Sequence, residues 1–255
     1  MAVLTAAEMR YESRLIFESI VSGDAPGFTA REWSELLTQA QEFEIRSIIK
    51  NGLDNNEINR KSLDRLIIDN KIVTGANVTA GHLPNSYRVD VPVDYYHILN
   101  KYANLAKATV DYNTIKVVPI SHQAYKSNIN NPTKKPYVDS NNNEGLVWEL
   151  VYNKSSATAV RQILVIVPSG YTLEDVVFDY IKNPKPIIVP FTYTSGTIEG
   201  LDLTNATQQA GINCELSSIV QREIVKRAAD LAAAYARDKL GYQLQKTEGN
   251  EPQQK

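Results

Sequence analysis

Cysteine is all but missing. Cys214 is the single one among 255 residues, so no internal disulfide can form and stability owes nothing to an oxidising compartment. A charge excess of either sign is missing too. Lys and Arg number 27 against 29 Asp and Glu, a formal charge of -2 with a pI near 6.0, which excludes a global basic field of the kind that grips a nucleic-acid backbone. Long apolar runs are absent: the strongest, Ile163 to Pro168, falls far short of the roughly 20 residues that cross a bilayer. Met1 to Arg10 has no apolar stretch between a basic start and a cleavage site, and Glu8 interrupts it early, so synthesis and residence in a cytoplasm are expected. The sequons beginning at Asn77, Asn153 and Asn205 then carry no weight. With 43% hydrophobic and 22% charged residues, the chain is globular, not a rod or a disordered polymer.

What is there begins as helix. Thr5 with Glu8 and Thr29 with Glu32 have the spacing of a capping box, in which the hydroxyl takes an orphan amide and the carboxylate reaches back to the cap. In the first helix Tyr11, Leu15, Ile16 and Ile20 share a face, and Gly23 to Gly27 supplies the stop. In the second, Trp33, Leu36, Leu37, Ala40 and Phe43 recur at helical spacing up to Asn51-Gly52. A third is expected from Asn56, with Leu63, Leu66 and Ile67 as its stripe, and Pro92 to Leu99 reads as a proline-started helical turn.

The middle is different in kind. Thr114 to Ile120, Leu146 to Tyr152, Val160 to Val167 and Ile187 to Phe191 are short β-branched or aromatic runs bounded by Asn, Ser, Gly and Pro, which predicts a small antiparallel sheet. The second and third of these form a hairpin, and Asp175 to Ile181 fits helix or strand. Ser127 to Asn143 is expected to be a long loop, of the kind that often binds. Leu216 to Leu240 is a long helix with Ile219, Ile224, Ala228, Leu231 and Tyr235 on or near one side. Its six alanines between Ala228 and Ala236 would let another helix approach closely, though high helix propensity alone explains them as well. The fold class is α+β: N-terminal helices, a central small antiparallel β region and a long C-terminal helix. The expected divisions are 1–80 helical, 81–240 mixed, and a flexible, Gln-rich tail over 241–255.

Catalytic signatures fail one by one. Gly75 and Gly81 lack the spacing and the lysine of a phosphate loop, and no GxGxxG occurs. His82, His97 and His122 stand far apart, so no local pair seeds a metal site. Asp139 to Gly145 has its glycine one place late for a calcium loop, and Leu150 where the bidentate glutamate belongs. Ser169 lacks a nucleophile elbow, and Cys214, though just before a helix, reads as a packing residue. No catalytic residue, cofactor or metal is expected. Tyr125, Tyr137, Tyr152, Tyr171, Tyr180 and Tyr193, set among Asn, Lys and Pro, suit either an interface or a half-buried sheet.

The order of motifs carries more than any one of them. Val91-Pro92-Val93-Asp94-Tyr95-Tyr96-His97-Ile98-Leu99 is followed by Ser121-His122-Gln123-Ala124-Tyr125 and by Asn131-Pro132-Thr133-Lys134-Lys135-Pro136. Tyr180-Ile181-Lys182-Asn183-Pro184-Lys185-Pro186 comes next, then Cys214-Glu215-Leu216 leading into Gln221 to Ala232. This succession, from about Leu83 to Ala236, resembles the neck or ring proteins that join head and tail in crAss-like phages. The resemblance implies a virion protein without catalysis, made in the host cytoplasm, that forms a ring, commonly dodecameric, with residues 81–240 as its core. Its implied partners are the portal, neighbouring rings and the tail hub, with genome DNA passing through the lumen, no sequence-specific nucleic-acid contact and no membrane. By matching position, contact residues are Asn131, Pro132, Lys134 and Pro136, and Tyr180, Lys182, Pro184 and Pro186. The family's acidic pair before the tyrosine is reduced here to Val93-Asp94, and Val220-Gln221 replaces Leu-His. Portal-proximal adaptor, distal ring and tail-hub component therefore all stay open. A tail-associated host-interaction or carbohydrate-binding module is the alternative reading, and a virion hydrolase the third.

Overall fold

Both capping boxes form. In a computed structural model describing residues 3–21, 27–52, 57–74, 78–108, 110–139, 144–152, 161–192 and 208–248, Thr5 caps α1 (Ala6–Ile20) and Thr29 caps α2 (Ala30–Lys50). Each hydroxyl accepts the Glu N–H three residues on, and each Glu carboxylate accepts the cap N–H, at 2.7 Å in α1 and 2.6 Å in α2. A short α3 (Glu57–Leu63) follows, and α5 (Ser218–Glu248) closes the described chain. Residues 241–248 of the expected flexible tail belong to α5, and 249–255 lie outside the described residues.

The chain forms two compact units, Met1–Leu66 with Pro184–Lys255, and Ile67–Asn183. In the first, α5 packs on both α1 and α2 through Ile224, Val225, Ala228, Ala229, Ala232, Ala233 and Ala236, all buried. The alanines thus form a helix-helix seam. The face of α1 that meets it corrects the sequence reading: Ala6, Met9, Ser13 and Phe17 are buried, while Tyr11, Leu15 and Ile20 are exposed. That face combines the large Met9 and Phe17 with the small Ala6 and Ser13, and Ser13 Oγ donates to the Val225 carbonyl at 3.1 Å. On α5, likewise, Ile219 and Tyr235 are exposed.

Ile187 to Phe191 does not form the expected strand. Thr38 Oγ1 accepts the Ile187 N–H at 3.1 Å and Ser34 Oγ the Val189 N–H at 3.0 Å, so hydroxyls of α2 take amides a sheet would have used. Only Ile188, bridged to Ile212, and β10 (Phe191–Thr192), paired with β11 (Gln208–Gln209), make strand contacts there.

The second unit holds β1 (Ile67–Thr74), β2 (Val78–Ala80), β3 (Ser86–Asp90), β4 (Tyr95–Lys107), β5 (Val110–Pro119), α4 (His122–Asn128), β6 (Tyr137–Asp139), β7 (Glu144–Tyr152), β8 (Gln162–Ile166) and β9 (Thr172–Lys182). They make one nine-stranded sheet in the order β1-β9-β4-β5-β7-β8-β3-β2, with β6 beside β7. It is larger than expected and mixed, because β5 and β7 run parallel, joined by the crossover that contains α4 and β6. The β7–β8 hairpin forms as expected. The third helix stops at Leu63; a turn with Leu66 N–H on the Leu63 carbonyl leads into β1, so Ile67 opens a strand. Pro92 makes only a turn, with Tyr95 N–H on its carbonyl at 3.3 Å, and Tyr95 onward is β4. Pairing along nearly all of β9 satisfies those amides and overrides the local helical signal.

The two ends of the strand path approach each other. Thr74 and Val78 are four residues apart, which limits their separation to about 14 Å, and β2 also lies near β9, the partner of β1. The sheet therefore curls into an open barrel, with no pairing between β1 and β2 among the described residues. Val73, Val89, Leu105, Ile115, Val147, Val165 and Phe178, from seven of its strands, fill the interior.

Candidate interaction surfaces

A second apolar cluster lies on the outer side of the barrel wall. Trp148 and Leu150 of β7 and Leu164 and Ile166 of β8 point away from the interior and are covered by Leu83, Ile120, Tyr125, Ile129 and Leu146. Tyr125 of α4 meets Trp148 edge to face, with ring centroids 6.2 Å apart. Ser121 caps α4 by accepting the Ala124 N–H at 3.1 Å, and Ile120 N–H donates to the Glu149 carbonyl at 2.8 Å. The segment expected as a loop is thus a built clip, fastened to the wall by apolar burial.

Asn131 shapes the tip of the clip. Its Oδ1 accepts from Thr133 N–H at 3.1 Å and Thr133 Oγ1 at 2.8 Å, and its carbonyl accepts from the N–H groups of Lys134 and Lys135. Pro132, Thr133, Lys134 and Lys135 are exposed, whereas Pro136 is buried at the foot of the tip. There β6 returns against β7. A Cβ on Gly145 would meet the Tyr137 carbonyl oxygen at 2.6 Å, so only glycine allows that approach. Gly81 is likewise a packing glycine, with the Ser86 and Leu164 side chains where its Cβ would stand. Gly75 and the Ser140 to Asn143 part of the calcium-like run lie outside the described residues.

The second matched segment divides between the units. Tyr180 is buried in the barrel interior, and its hydroxyl donates to Asp94 Oδ1 at 2.9 Å. Burial, then Asp94, pushes its pKa up to about 12. Lys182 ends β9, and Asn183 N–H donates to the Asp94 carbonyl at 2.6 Å. Pro184 and Pro186 begin the return to the helical unit, half-buried and exposed respectively. Asn131 and Pro136 shape one segment and Tyr180 anchors the other, while Pro132, Lys134 and Pro186 present surface. The barrel keeps β9 apart from β7, which carries the clip, by three strand steps of about 4.8 Å.

Of the six tyrosines singled out, Tyr125 and Tyr171 are half-buried, Tyr180 is buried and Tyr137 is exposed; the side chains of Tyr152 and Tyr193 lie outside the description. Two buried glutamines tie backbone together: Gln41, which the sequence reading passed over, and Gln221, which it named only as a departure from relatives. Gln41 Oε1 accepts the Cys214 thiol at 3.3 Å while its Nε2 donates to the Lys185 carbonyl. Gln221 accepts from Leu4 N–H at 2.7 Å and donates to the carbonyls of Cys214 and Leu216. Cys214 is a packing residue, and burial pushes its thiol pKa up to about 11.

The polar groups described so far fasten backbone to backbone and element to element. The family model of phage tail ring protein 3/4 matches residues 4–243, which include parts of both units. The chain belongs to that family and is a structural ring protein of a phage tail. Ring protein 4/5 of Bacteroides phage crAss001 is similar, 30% identical over 250 residues that cover 91% of this chain and 93% of that one.

Proposed function

We propose that this protein forms one ring of the stack that joins head to tail at the portal vertex, holding portal and tail together around a channel for DNA and catalysing no reaction. The observation that carries this is the family match over residues 4–243. Closed symmetry suits the role, since one heterologous interface is satisfied at every repeat around a ring. The near-balanced charge, 27 basic against 29 acidic residues, suits a conduit along which DNA slides without sticking. No helix among the described residues is long and apolar enough to cross a membrane. The chain is made in the host cytoplasm, enters the virion, and takes the portal, neighbouring rings or the tail hub as partners in a commonly dodecameric ring. Contacts run through the segments Asn131 to Pro136 and Lys182 to Pro186, by their exposed residues.

Native mass spectrometry of the purified chain, with and without its portal, tests this. Closed rings or stoichiometric decoration of the portal are expected. A chain that stays monomeric beside a competent portal and binds a glycan would replace this reading with a host-interaction module.

A further inference from the structure

Strand registers bring four side chains into one row across the barrel wall. Ile72 of β1 pairs with Val177 of β9, Val177 with Tyr102 of β4, and Tyr102 with Lys116 of β5. Their neighbours Val73, Val176, Phe178, Ala103, Ile115 and Val117 all fill the interior, so the row faces outward. Ile72 is 56% exposed there. Polar groups border the row on both sides. Toward one end of β9, Asp175 accepts from Asn104 Nδ2 at 2.7 Å beside the exposed Glu174; toward the other, Asp179 accepts from Asn70 N–H at 2.9 Å. Val177 is buried and Tyr102 half-buried, so Ile72 is the exposed apolar member of the row and Lys116 its exposed cation. An apolar patch inside a polar rim is the anatomy of a protein interface.

The clip lies further along the sheet: its strand β7 stands three steps from β9, with β4 and β5 between them. From Ser121 to Val138 the clip has three lysines and no acidic residue. Lys134 and Lys135 are exposed at its tip, and Tyr137 is 54% exposed beside them.

We propose that, within the ring, the clip of each protomer docks on the β1–β9–β4 wall of its neighbour, Tyr137 against Ile72 and Tyr102, and the tip lysines toward Glu174 and Asp175. The occupant is a second copy because a ring repeats one chain and the exposed tip lysines complement the carboxylates Glu174 and Asp175 beside the row. Such a contact is heterologous: each copy offers two different surfaces, so it propagates and closes as a ring instead of ending at a dimer. This rests on the ring reading above.

Cross-linking in assembled particles tests the docking. Phage carrying Ile72→Cys with Thr133→Cys is treated with a short bis-maleimide and resolved on a denaturing gel, the buried Cys214 staying silent. A ladder of multimers from the double variant, and single bands from each single variant, is expected. A double variant that is present in particles but gives no ladder overturns the docking and leaves the ring reading standing. Absence of the unaltered chain from purified particles overturns both. If the cysteine chain fails to enter particles, charge reversal reads the same contact. Lys134→Glu with Lys135→Glu is expected to lower incorporation at least tenfold, and adding Glu174→Lys to restore it; no restoration overturns the docking.

Discussion

Lys101 and Glu149 form an ion pair inside the barrel, reaching across β5, the strand that separates theirs. Their side chains are only 14% and 5% exposed, so each charge depends on the other for what water no longer supplies. Removing one partner strands a buried charge. Glu149→Gln or Lys101→Met alone is expected to cost about 3–5 kcal/mol in urea unfolding. Lys101→Met together with Glu149→Leu is expected to return the protein to wild-type stability or above it. A loss under about 1 kcal/mol from either single change would show that the pair is wetter than its burial indicates.

Gln221 ties three pieces of backbone together from one amide: Leu4 ahead of α1, and the carbonyls of Cys214 and Leu216 ahead of α5. Gln221→Leu keeps the volume and leaves all three groups without this partner. The expected cost is about 3 kcal/mol, since each orphaned buried group costs about 1–3 kcal/mol less whatever water recovers. Thermal unfolding followed by far-ultraviolet circular dichroism measures it, and a variant that melts with the wild type would mean the amide is decoration.

Legibility followed the range of the forces involved. The capping boxes at Thr5 and Thr29 were readable because a cap is complete within four residues. The β7–β8 hairpin was readable because its partners are close in sequence. The burial of α1 was not, since Met9 and Ser13 face α5 across more than two hundred residues, and hydrophobicity alone pointed to Tyr11 and Leu15. Strand β1 escaped for the same reason. Ile67 to Thr74 contains Asp69, Asn70 and Lys71 and becomes a strand only by pairing with β9. The clip was legible as a segment, through Asn131 to Pro136, but not as an element docked on the wall. Tyr125 on Trp148 fastens it there, a contact no local pattern announces.

Cys214 carries a simple chemical test of its packing. Burial pushes its thiol pKa up to about 11, from an ordinary value of 9.0, so the neutral thiol is favoured in the fold. The stability this contributes is complete below pH 9 and lost as pH rises toward 11. Iodoacetamide at pH 8 is expected to leave the folded chain unlabelled over the time in which it labels the urea-unfolded chain fully, as read by intact mass. Equal rates would place the thiol at the surface.

Asp175 lies on the proposed docking wall, and its partial burial bears on stability. Burial raises its pKa from the ordinary 3.8, against a smaller opposing pull from the Asn104 hydrogen bond, so the fold prefers this carboxyl protonated. The sign follows: its stabilising share is complete below pH 3.8 and is lost as pH rises through the higher folded value, leaving an ionised group that costs stability at pH 7. Asp175→Asn keeps an acceptor for Asn104 and removes the charge. It is expected to melt above the wild type at pH 7, by a margin that shrinks as pH falls toward 3.8, and to be incorporated less well into particles. A carboxylate that lowers stability and yet raises incorporation would be acting through a contact in the particle. A melting temperature unchanged or lowered at neutral pH would remove that inference, whatever the particles contain.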